Sequence, residues 1–329
     1  MSYMKVNFVL QPLSLYKNTG IYTYINEVLL LLKEKGINVE INKFKGDYDI
    51  LHIHDFSPSS ILLSKLSKKS TITTAHTTIS TTKGTLPKFL DNFWKFYLKH
   101  FYNSFDKVIA TSPKSIKEIE NIGIEKEKIE YLTHGVNLKK FSPNKGKRKE
   151  FREKLGIEKD ETVIFNVSRV EPRKGIYEFV EMSKFFPECR FVWFGILPHP
   201  LTPEYFKISK SIKNAPQNVI FTGRINDITN AFNAGDIFFF PSTGETFGLS
   251  IAEAAACSKP VLLKDLDDFS IFDFAIKYKT KRDCIEKIEC LLNKSYYNRY
   301  EKLTIAKIKK FDIKNHINGL VEIYEKLLK

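Results

Sequence analysis

Two carboxylates stand eight positions apart in residues 241–261, PSTGETFGLSIAEAAACSKPV. Glu245 lies in a polar loop after an apolar run, and Glu253 lies in the helix predicted at 249–257. Free backbone N–H groups at the start of that helix could bind an anion, and Gly248 would let a ligand approach closely. The pair could hold a sugar hydroxyl and a ribose diol in one pocket. A loop glutamate followed by an ordinary helix glutamate is the alternative.

Two cations, Arg169 and Lys174, stand five positions apart in SRVEPRKG, residues 168–175. They lie between a strand predicted at 163–167 and a helix predicted at 176–185. If they converge there, an arginine fork and a lysine point charge would grip a diphosphate. The alternative is that both are ordinary surface charges.

Histidines follow or alternate with the apolar residues of two predicted strands. His76 comes directly after the strand predicted at 71–75, and the carboxyl end of a parallel strand faces the ligand crevice of an open sheet. His76 is therefore a candidate ligand-binding residue. His52 and His54 are interpreted as histidines of the strand at 50–54, and Asp55 at its end as a candidate contact to a substrate.

The elements that must position these side chains alternate between short β-rich runs and helical patterns. This alternation predicts an α/β fold of two doubly wound, Rossmann-like domains with parallel sheets, facing each other across a cleft. Residues 139–154 contain eight Lys or Arg, two Glu and little apolar content, which predicts a hinge. We expect domains at 1–143 and 144–313, with a final helix at about 314–329 that packs back onto the first.

Composition excludes several classes of protein. Aromatic residues make up 13% of the 329 residues, which excludes disorder, and no apolar run approaches the ~20 residues of a membrane span. The four cysteines show no C-x-x-C spacing, so neither a zinc site nor a disulfide framework is indicated, and a reducing cytoplasm fits best. The net charge of +14 indicates an anionic partner: nucleic acid, an anionic membrane or a phosphorylated substrate.

Residues 86–105, LPKFLDNFWKFYLKHFYNSF, combine an aromatic face with a basic stripe. Phe93 and Trp94 lie on the apolar face, and Lys95 and Lys99 lie on the opposite one. This composition is typical of a helix in a membrane interface. The alternative is a helix packed on the sheet through a large aromatic contact.

Residues 241–261 resemble the signature of the family-four retaining glycosyltransferases, which have the GT-B architecture, and SRVEPRKG resembles that family's R-x4-K-G element. Residues 221–242 resemble the turn that contacts the nucleotide base. The resemblance implies catalytic roles for Glu245, His76, Arg169 and Lys174. It implies that the donor is bound by Gly20, Arg169, Lys174, Arg224, Ile225, Glu245, Phe247, Gly248, Leu249 and Glu253.

The sequence departs from the family pattern at several positions. Residues 133–143, THGVNLKKFSP, resemble N-G-V-D-x3-F-x-P with His134 for Asn and Asn137 for Asp. The glycine of A-x-G-x-P-V is absent after Glu253, and residues 261–272 resemble instead the P-V-L-x-R-D segment of diacylglycerol glucosyltransferases. The D-x-D sequence at 265–267, a metal motif of another glycosyltransferase architecture, is interpreted as a solvated turn, and no metal is expected.

The predicted function is a retaining, metal-independent hexosyltransferase. It would transfer a hexose from a nucleotide sugar such as UDP-glucose to a membrane-associated lipid, without a cofactor, peripherally at the inner face of the cell membrane. The alternative enzyme builds a polysaccharide, a lipid-linked oligosaccharide or a glycoprotein glycan. The alternative of another class is a non-catalytic basic membrane- or nucleic-acid-binding protein on this scaffold, but no nucleic-acid-binding module is recognised, so nucleic acid is not expected as a partner.

Overall fold

The computed structural model describes residues 4–10, 20–43, 46–82, 88–200 and 204–329. The chain divides into two compact units, one within residues 1–135 together with 313–329, and one of residues 136–312. The boundary between the two units falls after Gly135, whereas the sequence predicted it after residue 143.

The first unit contains a six-stranded parallel sheet. Its strands run in the order β2-β1-β3-β4-β5-β6, so the direction of winding reverses between β1 and β3. The strands are β1 (Lys5–Val9), β2 (Asn38–Ile41), β3 (Ile50–Ile53), β4 (Ser70–Thr74), β5 (Lys107–Ala110) and β6 (Ile129–Tyr131). Ligands of such sheets bind at the carboxyl ends of the strands beside the reversal.

Helices connect these strands. They are α1 (Gly20–Glu34), α2 (Pro58–Leu66), α3 (Ile79–Thr82), α4 (Asp91–Asn103) and α5 (Pro113–Asn121). The aromatic helix predicted at 86–105 is shorter in the structure: a 3-10 turn at Lys88–Leu90 precedes α4. Residues 86 and 87 lie outside the described residues.

The second unit contains another six-stranded parallel sheet, in the order β12-β11-β10-β7-β8-β9. Its strands are β7 (Val163–Val167), β8 (Arg190–Phe194), β9 (Val219–Gly223), β10 (Ile237–Phe240), β11 (Val261–Lys264) and β12 (Ile276–Tyr278). Phe238 and Phe240 enter one core while Ile237 and Phe239 enter another. The sheet is therefore covered on both faces, as the continuous apolar runs predicted.

Seven helices of the described chain lie in the second unit: α6 (Lys145–Lys154), α7 (Ile176–Ser183), α8 (Tyr205–Lys213), α9 (Ile228–Ala234), α10 (Leu249–Ala256), α11 (Lys281–Leu292) and α12 (Lys294–Ile308). The last helix, α13 (Ile313–Leu327), belongs to the first unit and packs against α1.

The interpretation of residues 139–154 as a hinge is wrong for most of that segment, because residues 145–154 form α6. The Asn144 side chain caps the helix by accepting from the Lys147 N–H at 2.9 Å. Arg148 and Arg152 each pair with Asp236 at 2.6 Å, and α6 packs against α9. Ion pairs hold much of this helix and few of its side chains are apolar, although Phe151 packs against the core, so its low hydrophobicity concealed it.

Gly195, directly after β8, is required by a close approach of two loops. A Cβ atom there would lie 1.8 Å from the carbonyl oxygen of Ser168, in the loop that carries Arg169. We expect Gly195→Ala to lower the free energy of unfolding by about 1–3 kcal/mol or more, because the backbone must move.

Urea unfolding measures this effect. Gly146→Ala in α6 is the matched control, because its nearest new contact would be the Asn144 side chain at 3.3 Å. The control should change stability by less than about 1 kcal/mol. Equal stabilities of the two variants would contradict the close approach.

Candidate active site

The two loops predicted to carry the chemistry follow β7 and β10, the neighbouring strands at which the second sheet reverses its winding. Residues 168–175 follow β7 and residues 241–248 follow β10. Hydrogen bonds join the loops: the Thr243 N–H donates to the Arg173 carbonyl at 2.9 Å, and the Ser242 hydroxyl donates to it at 3.2 Å. The cations of one loop and the carboxylate of the other are thus held at the edge where such sheets bind ligands.

Glu245 is the centre of a largely buried ion-pair cluster. Its Oε1 lies 2.6 Å from Lys174 Nζ and 3.3 Å from Arg173 Nη1, and it accepts a 2.7 Å hydrogen bond from Ser242. The side chains of Glu245 and Lys174 are only 10% and 13% exposed. Burial raises the pKa of Glu245, but the attraction of Lys174 and Arg173 outweighs it and lowers that pKa below the usual value. The carboxylate is therefore ionised at neutral pH.

Lys174 keeps hydrogen-bonding capacity beyond this pair. An ammonium has three N–H donors, and one of them meets Glu245. Burial lowers the pKa of Lys174, and the neighbouring Glu245 carboxylate opposes that effect. A phosphate oxygen could therefore bind the same ammonium group and restore some of the interactions that burial removes.

Arg169 lies at the exposed end of the charged segment. Its side chain is 58% exposed, and its Nη1 lies 2.8 Å from Glu171 Oε1. Glu171 in turn lies 3.9 Å from Arg173. Arg169 and Lys174 are therefore connected through a chain of ion pairs that runs from Glu171 through Arg173 to Glu245.

Sequence reasoning missed two residues that fix the Glu245 loop. Arg173 donates a hydrogen bond to the Gly244 carbonyl, and the buried Asp268 accepts from the Glu245 N–H at 2.8 Å. Arg173 stands one position before Lys174 and falls among the unspecified positions of R-x4-K-G. Asp268 ends a run of acidic residues in which Asp265 and Asp267 are exposed, so the sequence carried no signal for its burial.

The start of α10 could bind a ligand through backbone amides rather than through side chains. Gly248 precedes the helix with φ +90°, and a Cβ atom there would meet Ile251 at 2.7 Å. The Phe247 ring is buried between Phe272 and Phe311, with centroids 5.5 and 5.8 Å away. Leu249 is half-buried against the same core. Residues 247–249 could therefore meet a ligand mainly through their amides.

The remaining predicted donor residues are more dispersed. Glu253 is half-buried on α10, Arg224 is exposed after β9, and Ile225 packs at the edge of the core. Gly20 is the first residue of α1, and residues 11–19 before it lie outside the described residues.

Five histidines form a cluster in the first unit, around the carboxyl ends of β3 and β4. Successive ring centroids are 4.1, 5.2, 5.5 and 5.7 Å apart along the series His52, His54, His76, His134 and His316. Three of them are buried, whereas His54 and His76 keep some exposure. His134, which the sequence singled out only as a departure, stacks on His76.

Hydrogen bonds run through this cluster. His52 contacts the Tyr324 hydroxyl at 2.6 Å through Nδ1 and the Thr74 hydroxyl at 2.9 Å through Nε2. His54 Nδ1 lies 2.9 Å from His76 Nε2. Burial lowers the pKa of all five histidines, to about 4 for His76. The imidazoles are therefore neutral at physiological pH.

The candidate substrate contact Asp55 is 7% exposed and is engaged within its own unit. It accepts hydrogen bonds from the Ser60 hydroxyl at 3.0 Å and from the Ser57 N–H at 3.2 Å, at the start of α2. Asp55 and His76 nevertheless line the same small pocket with Thr73 and Thr77.

The aromatic helix α4 packs on the core through one face and exposes aromatic rings on the other. Leu98, Phe101 and Tyr102 are buried in the core. Phe93 and Phe96 are 64% and 63% exposed. A row of exposed aromatic rings, which we call the aromatic row, consists of Phe89, Phe93 and Phe96.

Trp94, predicted as a membrane contact, is half-buried and stacks on Tyr97 at 5.3 Å. A groove of about 440 Å³ lies beside the aromatic row. Its lining residues are Ile79, Lys95, Phe96, Lys99, Glu118, Asn121 and Ile122.

Neither a membrane-spanning helix nor a metal-binding cluster is found among the described residues. None of their helices combines the length and apolar character that a bilayer crossing requires. Nor do three or more of their His, Cys, Asp or Glu side chains come together as a set able to hold a metal ion.

The sequence matches two protein families. Residues 8–140 match the family described as Glycosyltransferase Family 4, and residues 147–271 match the glycosyl transferases group 1. A processive diacylglycerol alpha-glucosyltransferase of Acholeplasma laidlawii is 30% identical over 80% of this chain and 79% of its own length. An alpha-galactosylglucosyldiacylglycerol synthase of Streptococcus pneumoniae is 29% identical over 68% of this chain and 62% of its own length.

Solved structures show the same fold. Anabaena HepE, crystallised with UDP and glucose, superposes with a TM-score of 0.82 over 98% of this chain and all of its own, at 17% identity. A sucrose-phosphate synthase from Thermosynechococcus elongatus superposes with a TM-score of 0.83 over 98% of this chain and 99% of its own, also at 17% identity. The predicted α/β architecture of two Rossmann-like domains is confirmed.

Proposed function

Because the chain belongs to the group 1 and family 4 glycosyltransferases, we propose that it transfers a hexose from a nucleotide sugar to a membrane-associated lipid. The observation that carries the proposal is the cluster of Glu245, Lys174 and Arg173 at the reversal of the second sheet. The names of the two diacylglycerol glycosyltransferase relatives support a glycerolipid acceptor, and the first of them supports glucose as the hexose.

The donor diphosphate meets three groups in this proposal. The exposed Arg169 guanidinium binds one phosphate, the remaining N–H donors of Lys174 bind the other, and the amides at the start of α10 complete the site. Glu245, fixed by its partners, holds a hydroxyl of the transferred hexose. Glu253 binds the ribose, and His76 contacts the hexose.

The remaining donor contacts complete this proposal. Arg224 and Ile225 lie against the nucleotide base, and Gly20 approaches the donor phosphates. No resident cofactor is required, because the nucleotide sugar is itself a substrate.

We infer a retaining mechanism in which the departing diphosphate takes the acceptor proton. The acceptor oxygen bonds to the anomeric carbon on the face that the diphosphate leaves, the bond from that carbon to the phosphate oxygen breaks, and the acceptor proton passes to the leaving phosphate. Glu245 is a poor covalent nucleophile because Lys174, Arg173 and Ser242 engage its Oε1. The fixed cations stabilise the charge that develops on the diphosphate, so no metal ion is required.

Proton NMR of a running reaction tests this mechanism. With UDP-α-glucose and diacylglycerol in mixed micelles, the first product should carry an α-linked hexose, and excess EDTA should leave its rate unchanged. A β-linked first product would contradict retention. Loss of activity in EDTA that Mg²⁺ restores would contradict metal independence.

We propose that the aromatic row and its lysines contact an anionic membrane peripherally. The three phenylalanines project from the same helical segment as the exposed Lys95 and Lys99. This arrangement matches interfacial helices, which insert aromatic rings while cations meet the headgroups.

Vesicle cosedimentation tests this contact. Phe93→Ser with Phe96→Ser should weaken binding to phosphatidylglycerol vesicles at least about tenfold, because both rings lose their burial in the interface. Lys95→Ala with Lys99→Ala should weaken it by roughly 1 kcal/mol per lysine, and only for anionic vesicles.

Phe206→Ser is the control for this experiment. Phe206 is 85% exposed and lies in the second unit, whereas α4 belongs to the first. An equal loss of binding in this control would show that the aromatic row is not the specific contact.

A further inference from the structure

We propose that His54 is a positioning residue that fixes the ring and the tautomer of His76, so that His76 offers an N–H donor at Nδ1. One part of this proposal, that His76 contacts an oxygen of the bound hexose, rests on the proposed function. The tautomers of the two rings do not depend on that function.

The geometry joins the two histidines directly. His54 Nδ1 and His76 Nε2 lie 2.9 Å apart, with ring planes 30° apart. Both rings are neutral, since burial lowers both pKa values. A neutral imidazole carries one proton, so one of the two facing nitrogens must donate and the other must accept.

Phe8 and His52 hold the His54 ring in place. Phe8 stacks on it at 5.3 Å and 9°, and His52 lies 4.1 Å away. His54 is therefore fixed by packing before its hydrogen bond to His76 is considered. That bond occupies Nε2 of His76 and leaves Nδ1 as the nitrogen that can meet a ligand.

The second nitrogen of His54 decides which way the proton lies. His54 Nε2 is buried and has no hydrogen-bond partner within the described part of the chain. If His76 donated, His54 would carry its proton on that buried Nε2, as an N–H without an acceptor. Orphaned buried N–H groups are rare in proteins and cost about 1–3 kcal/mol. The proton therefore lies on His54 Nδ1, and the proton of His76 lies on its own Nδ1.

This state has a chemical consequence. With its proton on Nδ1, His76 recognises an oxygen lone pair and cannot act there as a general base. A hexose hydroxyl that accepts this hydrogen bond is held in one orientation. The role fits a reaction in which the leaving phosphate, rather than a histidine, takes the acceptor proton.

Long-range proton–nitrogen NMR of the full chain with ¹⁵N-labelled histidine tests the tautomers directly, without substrate. Free histidine in water slightly favours the Nε2–H form. We expect Nδ1–H for both His54 and His76 at neutral pH, and a shift of His76 toward Nε2–H in His54→Phe. Nε2–H on His76 in the wild type, or a tautomer mixture there, would overturn the proposal whatever the activity.

Kinetics of matched variants separate positioning from packing. Asn places a polar atom near the position of Nδ1, whereas Gln places one near that of Nε2, and Phe keeps only the ring. We expect His54→Phe and His54→Gln to lower kcat by about 10²-fold with little change in KM, as for a displaced reactive group. His54→Asn should restore most of that loss.

A purely structural role for His54 predicts the reverse order, with Phe active and Asn impaired. That order would overturn the proposal. Thermal unfolding checks that each variant is folded, and the NMR spectrum still decides the tautomer if no variant shows transfer activity.

Discussion

Replacing Lys174 by methionine is expected to lower kcat/KM for hexose transfer by about 10²–10³-fold, the typical cost of losing one fixed charge-stabilising donor. Methionine keeps the length of the side chain but removes the ammonium that faces Glu245 at 2.6 Å. The departing diphosphate then loses a cation in a largely buried site, where charge interactions are strong. Steady-state kinetics with a saturating acceptor measure the effect.

Lys154→Met is the matched control for this change. Lys154 pairs with Glu150 at the same distance, 2.6 Å, but both side chains are more than 60% exposed. Exposed pairs contribute about 0–1 kcal/mol to stability, so this variant should keep the wild-type kinetics. Equal kinetics of the two variants would remove Lys174 from the mechanism.

Loss of a buried partner also threatens the fold, so Lys174→Met needs a second comparison. The remaining Glu245 carboxylate would keep Arg173 at 3.3 Å but lose its nearest cation. Lys174→Met with Glu245→Gln removes both charges and should recover stability relative to Lys174→Met. If the double variant regains stability and still has low activity, unfolding does not account for the loss, which then comes from the two removed charges.

The histidine cluster predicts that the first unit loses stability in mild acid. Each histidine has a lowered pKa in the folded state and titrates near about 6.5 when unfolded. The unfolded chain therefore binds more protons below that pH. Stability is fully present above about pH 6.5 and falls as the pH drops toward the folded pKa values, which for His316 is about 4.

The effect is large enough to measure. At pH 5.5 keeping His316 neutral costs about 1.4 kcal/mol, and the other two buried histidines, His52 and His134, add to that cost in the same direction. Hydrogen exchange at pH 7.5, 6.5 and 5.5, followed by mass spectrometry, reports the two units separately. Peptides from β3 and β4 should lose protection beyond the intrinsic change in exchange rate, while those from β7 and β10 should lose much less.

His316→Asn provides the internal test of that pH effect. Asn can keep the hydrogen bond that His316 Nδ1 makes to the Thr133 carbonyl at 2.7 Å, but it does not titrate. The pH dependence should then weaken by about one proton. His100→Asn, at an exposed position on α4, should leave the dependence unchanged. A first unit equally stable at pH 5.5 and 7.5 would contradict neutral, buried imidazoles.

Continuous apolar runs made much of the fold predictable. Strands β7, β8 and β10 lie at the predicted residues because both faces of a parallel sheet are covered. The three-residue strands β6 and β12 carry too few apolar side chains to be recognised. Helix α6 was missed because it carries few apolar side chains and ion pairs to Asp236 hold much of it.

Part of the site was predictable for a similar reason. Lys174 and Glu245 follow strands that were identified correctly, and the structure brings them into direct contact. The sequence could not show that Arg173 shares this pair, nor that His134 and His316 join His76, because those contacts depend on strand order and on where α13 packs. Spacing along the chain carries no information on such distant neighbours.

The most direct measurement is the transfer of radiolabelled hexose from nucleotide sugars into lipid. UDP-, GDP- and ADP-hexoses are each offered with diacylglycerol vesicles, diether-lipid vesicles, polyprenyl-linked saccharides or soluble saccharides, using the wild type and Lys174→Met. We predict label from UDP-glucose in the diacylglycerol fraction, and a loss of about 10²-fold or more in the variant. Label only in saccharide acceptors, or no transfer from any donor by a folded wild type, would contradict the account.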